Sequence, residues 1–136
     1  MVSKGDSPIF VDTKIGTVPD EQLLDMELLN ESAGMDSDSM RELIEMYLTQ
    51  AKEIMADLHT AIAAGRVEDV KQLAHKLAGS SAVCGVRAIV PPLRALEQQG
   101  KEGRLSEAEQ LLAQANLRLE LSEKALADYL QDLRDH

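Results

Sequence analysis

The stretch "DSDSMRELIEMYLTQAKEIMADLHTAIAAG", residues 36–65, decides the fold. Its apolar side chains Met40, Leu43, Ile44, Tyr47, Ala51, Ile54, Met55, Leu58 and Ile62 recur close to the 3.6-residue helical period, which gathers them on one face. Ser39 and Glu42 have capping-box spacing at its start, and Gly65 ends it. A helix this amphipathic needs partners to cover its apolar face, and its neighbours in sequence are helical as well.

Upstream, a first helix is expected from Asp20 to Ser32, with Pro19 near its first turn and Gly34 closing it. Downstream, a third helix runs from Val67 to Val83 and stops at Gly85. A fourth covers Val86 to Gln99, but Pro91 and Pro92 cannot donate backbone hydrogen bonds, so a kink or a fresh start is expected there. "GKEGRL", residues 100–105, reads as a loop. Ser106 with Glu109 then forms a second capping box, opening a long helix through Leu111, Leu112, Ala115, Leu119, Leu126, Leu130 and Leu133. Short connections make antiparallel neighbours, hence an all-α, up-down helical bundle. Residues 1–18, with Gly5, Pro8 and Gly16 and little periodicity, read as a flexible linker or tail, leaving 19–134 as a single domain.

Composition narrows the partners. The 136-residue chain has a net charge of −10, from 24 acidic and 14 basic residues. That balance argues against binding nucleic acid or anionic lipid, both of which depend on Lys and Arg. One Phe, two Tyr and no Trp leave little for base stacking. A lone cysteine, Cys84, excludes an internal disulfide and points to a reducing compartment. With no apolar run near the roughly 18 residues of a membrane span and no signal peptide, the expectation is a cytoplasmic protein without membrane contact whose partner is another protein.

One feature of the third helix stands apart from its core. With Val70 set at zero and about 100° per residue, Leu73, Ala74, Leu77 and Ser81 form the buried stripe. His75 falls at roughly 140° and Gly79 at roughly 180°, off that stripe. An imidazole in water titrates near about 6.5, so at neutral pH most such rings keep a free lone pair and are competent nucleophiles. An interior glycine costs about 1 kcal/mol relative to alanine, which makes sense where something large must approach the ring. Gly79 and Ala78 then clear ground on one side, while Lys71 reaches in from the other, and Lys71, Lys76 and Ser80 could neutralise or bond an incoming phosphoryl group. Taken singly each residue is ordinary: exposed histidines are common, and helical Gly and Ser also serve close packing.

Together they resemble the signature of histidine-containing phosphotransfer (HPt) domains: "AHKLAGSSAVCG", with His75, Leu77, Gly79, Ser80, Ser81 and Gly85 at the family's positions. "LIEMYLTQAKEIMADLHTAIAAGRVEDVKQLAHKL" and "LRALEQQGKEGRLSEAEQLL" resemble the flanking helices, so the similarity covers residues 20 to 130. The resemblance implies an antiparallel four-helix bundle with an additional N-terminal helix. It implies that His75 accepts a phosphoryl group from a receiver-domain aspartate and passes it to the aspartate of another response regulator. Phosphoryl-environment residues would be Lys71, Gln72, Lys76, Ala78, Gly79 and Ser80. The domain would have no kinase site, nucleotide or metal of its own, with an upstream sensor kinase in the pathway; as a fragment, its parent would be a hybrid sensor histidine kinase. The sequence departs from the family at Ala78, where a lysine is usual, and Lys71, about 40° from His75 around the helix, is the expected substitute; Lys76, roughly 100° away, is the poorer one.

Two other readings compete. The phosphoacceptor helices of a sensor kinase place an acidic residue directly after the histidine, where Lys76 stands here, and precede a glycine-rich ATP-binding region. A helical interaction module that no longer transfers phosphate would explain Ala78 but not the retained His75 and Gly79. Metal binding by His59 and His75 is disfavoured, since no cysteine or carboxylate cluster with ligand spacing joins them. Cys84 and Tyr47 read as packing residues.

Overall fold

The computed structural model describes residues 23–32 and 36–134. The proposed tail, the expected helix start at Asp20 and the expected stop at Gly34 lie outside the described residues. Five helices are described: α1 (Met26–Ser32), α2 (Ser37–Ala63), α3 (Val67–Val83), α4 (Val90–Glu102) and α5 (Ala108–Arg134). Helix α2 packs on α3, α3 on α4, α4 on α5, and α5 back on α2. With connections of a few residues, that closed ring is the antiparallel up-down four-helix bundle expected, and α1 is the additional N-terminal helix.

The core fills the ring. Leu58, Leu77, Leu93, Leu96 and Leu126 are essentially without solvent exposure, each stabilising the fold by about 1.5–3 kcal/mol relative to an exposed side chain. Helix α1 closes one end, with Leu23, Leu24 and Leu29 buried and the Tyr129 hydroxyl donating to the Leu29 carbonyl at 3.1 Å. It begins at Met26 because the chain just before it is not helical: Leu24 pairs with Val86, the Asp25 N–H donates to the Gly85 carbonyl at 2.7 Å, and the Arg87 N–H to the Leu23 carbonyl at 2.8 Å. The Asp25 carboxylate then caps the helix by accepting from the Leu28 N–H.

Several element boundaries differ from the sequence reading. Helix α2 is capped by Asp36, whose carboxylate accepts from the Ser39 N–H at 2.8 Å, three residues earlier than the Ser39–Glu42 box. Leu43 belongs to the helical period but stays 42% exposed, and Ile62 is half-buried. Helix α3 has the expected limits. The prolines give the fresh start, standing in the first turn of α4 where a missing N–H costs nothing. That helix continues through Gly100 to Glu102, and the left-handed turn falls at Gly103 instead (φ 74°). Helix α5 opens differently as well: Ser106 Oγ accepts from Arg104, while the buried Gln99 side chain accepts from the Glu107 N–H.

Candidate functional site

The chemistry around His75 is set by how closely α4 approaches α3. A Cβ at Gly100 would lie 2.8 Å from both Lys71 Cβ and the Val67 carbonyl oxygen, so only glycine lets the backbones meet there. The two helices are antiparallel. One turn beyond Lys71 on α3 is His75, and one turn back from Gly100 on α4 is Glu97, which brings the two side chains together.

His75 Nδ1 lies 2.8 Å from Glu97 Oε2, with the imidazole 67% exposed and the carboxylate only 13% exposed. Arg94 Nη1 donates to Glu97 Oε1 at 2.9 Å and stands 3.4 Å from His75 Nδ1. Partial burial pushes the Glu97 carboxyl up, but hydrogen bonds from Arg94 and His75, with their charges, outweigh it and hold the group below the ordinary carboxylate range. An ionised carboxylate can only accept, so a 2.8 Å contact requires that Nδ1 bear the proton. A neutral ring making this bond carries its proton on Nδ1 and its lone pair on Nε2.

The residues named from the sequence are not all gathered here. Lys71 and Gln72 line the same depression as His75, with Glu68, Glu97 and Lys101. Lys71 Nζ is 3.1 Å from Glu68 and Gln72 donates to the same carboxylate at 2.9 Å, which keeps the Glu68 carboxyl below its usual value. Lys76 points to the opposite flank, into a depression shared with Asp57, Thr60, Arg66 and Asp69. The Ser80 hydroxyl donates to the Leu77 carbonyl oxygen at 3.3 Å and faces α2. Ala78 is fully buried. It clears no ground beside the ring: roughly 80° from Val70 it sits at the edge of the buried stripe, and packing covers it. Gly79 does: a Cβ built there meets nothing within 4 Å.

Arg94 and Glu97 are the residues that sequence reading did not single out. Their i,i+3 spacing is visible, but "GKEGRL" reads as a loop, which hides the close approach at Gly100 that sets the register.

On the flank towards α2 the character changes. Tyr47 and Ser81 share a buried 2.6 Å hydrogen bond between their hydroxyls, and above it an open groove is lined by Leu43, Met46, Ser80 and Cys84, with Glu42, Glu45 and Glu53 at its rim. Met46 is 69% exposed, and nearby Val83 is 76% exposed. Burial pushes the Cys84 thiol up, in keeping with a packing role. Among the described residues no group of three or more His, Cys, Asp or Glu could hold a metal ion, and no helix is long and apolar enough to cross a membrane.

In sequence, the chain is similar to multistep phosphorelay regulator 1 of Schizosaccharomyces pombe, at 28% identity over 124 residues, covering 86% of this chain and 42% of that protein. It thus spans less than half the length of that relative. In structure, it is similar to histidine-containing phosphotransfer protein B from Pseudomonas aeruginosa PAO1, with a TM-score of 0.76 at 22% identity, covering 81% of this chain and 96% of that one; at this identity the match shows the shared helical-bundle fold. The family model described as "Hpt domain" matches residues 42–136, well over half of the sequence. The chain belongs to the Hpt domain family and is a phosphotransfer carrier of two-component signalling.

Proposed function

We propose that His75 is the phosphoacceptor: Nε2 takes the phosphoryl group from the phosphorylated aspartate of one receiver domain and gives it to the aspartate of another. The observation that carries this reading is a single arrangement. The ring is exposed, its Nδ1 proton is held by Glu97, and the ground over Gly79 is open. A carboxylate that fixes the tautomer and offsets ring charge is what a nucleophilic imidazole needs when its lone pair is used. Among the described residues no atom lies within 4 Å of a Cβ built at Gly79, so no close packing there offsets its cost in helix stability, which supports an intermolecular role.

The receiver docks across the exposed face of α3 and onto α2. Leu43, Met46 and Val83 form a modest apolar centre, and Glu42, Glu45 and Glu53 a polar rim. Such a rim favours receivers whose docking face presents basic side chains. The test is incubation with receiver domains phosphorylated with radiolabel, followed by assay for acid-labile, base-stable phosphate on this chain. Label on the wild type and none on His75→Gln is expected. An unlabelled wild type would favour an interaction module without transfer.

A further inference from the structure

We propose that Arg94 is the cation that holds the phosphoryl group on His75, and that Glu97 is the positioning residue that keeps Arg94 and the ring together beforehand; this rests on His75 being the phosphoacceptor. A phosphoryl group at neutral pH brings about −1.5 to −2 charges and three acceptor oxygens. A cation of this chain beside the ring would meet that charge, and the depression around His75 holds Lys71 and Lys101 as well as Glu68 and Glu97. Lys71 is engaged with Glu68, which also binds Gln72. Lys76 lies on the other flank, Ala78 is buried, and the Ser80 hydroxyl is turned to the Leu77 carbonyl. Among the described residues Arg94 is the cation in contact with the ring, at 3.4 Å from Nδ1, whereas Lys101 lines the depression beside it. Its side chain is 47% exposed, and its bond to Glu97 runs through Nη1. A guanidinium carries five N–H donors in a planar fork suited to phosphate oxygens.

The transfer balances as follows. The Nε2 lone pair forms the N–P bond as the aspartyl O–P bond breaks, and the receiver's carboxylate leaves with that electron pair. The Nδ1 proton stays on the ring, whose positive charge faces Glu97 Oε2. Arg94 then divides its donors between Glu97 and the phosphoryl oxygens. Passing the phosphoryl group onward reverses each step.

The test compares wild type, Arg94→Ala, Arg94→Lys and Glu97→Ala, using two donors: a phosphorylated receiver domain and phosphoramidate, a small donor that needs no docking. Arg94→Ala is expected to label about tenfold more slowly with both donors and to shorten phosphohistidine lifetime, the loss of one charged hydrogen bond, with partial rescue in Arg94→Lys. A defect with the receiver but not with phosphoramidate would make Arg94 a docking residue and overturn the inference; so would wild-type rates and lifetime in Arg94→Ala. For Glu97→Ala, ¹⁵N spectra of the ring should show the loss of the Nδ1–H tautomer, which a purely structural role would not alter. Failure to label wild-type protein with either donor would instead strike the phosphoacceptor reading, and is thereby distinguished.

Discussion

On the flank where α3 meets α2, Tyr47 and Ser81 close a dry 2.6 Å hydrogen bond, and the surface above it is apolar with Leu43, Met46 and Val83. On the flank where it meets α4, the same helix sets Lys71 against Gly100 and His75 against Glu97 and Arg94, in water and among charges. Binding a partner calls for apolar surface that can be desolvated, whereas moving a phosphoryl group calls for charge compensation at a fixed atom. Dividing the two tasks between flanks of one helix lets each be built without compromising the other. Gly79 lies between them, and in the proposed mechanism it keeps the approach open.

The sharpest way to break this division is at Gly79 itself. Gly79→Gln should raise thermal stability slightly, since a Cβ meets no neighbour and glycine is the poorer helix former by several tenths of a kcal/mol. Transfer from a phosphorylated receiver should nonetheless fall by a factor of about 100 or more, the consequence of displacing a reacting group by even an ångström. Rapid transfer in a normally folded Gly79→Gln would show that the bare turn is not there for access.

A smaller effect on transfer, with a cost in stability, is expected at Gly100. Gly100→Ala places a Cβ 2.8 Å from Lys71 and the Val67 carbonyl, so α4 must move away from α3. Denaturant unfolding should report a loss of about 1–3 kcal/mol, and transfer should slow as the His75–Glu97 bond lengthens. An unchanged phosphorylation rate would show that the register of α4 does not matter to the ring.

The α2 flank answers differently. Tyr47→Phe leaves the Ser81 hydroxyl buried without its partner, at a cost of about 1–3 kcal/mol, while transfer stays near normal. Burial pushes the Tyr47 phenol up to about 12, with the Ser81 bond opposing, against 10.0 for the free group. The folded protein therefore holds this proton where the unfolded chain has lost it. The contribution is intact below pH 10 and disappears as pH climbs towards 12, so the mutant's alkaline stability curve should lack that slope. Least of all in stability terms, Met46→Ala should leave unfolding within about 0.5 kcal/mol of wild type, as exposed substitutions do, yet weaken receiver binding several-fold by titration calorimetry.

How much of this was legible in the sequence varies between the same two flanks. The buried stripe of α3, the limits of that helix and the outward direction of His75 follow from periodicity, because helical geometry fixes direction from position alone. The fresh start at Pro91 and Pro92 follows from their missing N–H groups. The Glu97–Arg94 pair does not follow from local pattern. It depends on the register between α3 and α4, and that register is set by a glycine that also reads as a helix breaker. Ala78 was misjudged for a related reason: at the edge of the stripe, only the packed neighbour decides whether a small side chain is buried. Asp36 and Gln99 show the same limit for caps, since several residues near each helix start could accept the free N–H groups.

In the proposed mechanism the chain presents His75 Nε2 as its nucleophile because Nδ1–H is tied to Glu97. The direct measurement is ³¹P and ¹⁵N NMR of the protein after transfer from a phosphorylated receiver domain. A single phosphohistidine at residue 75, with phosphorus coupled to Nε2 and a proton retained on Nδ1, is the predicted result. Phosphorus on Nδ1, or on any residue other than His75, would contradict it.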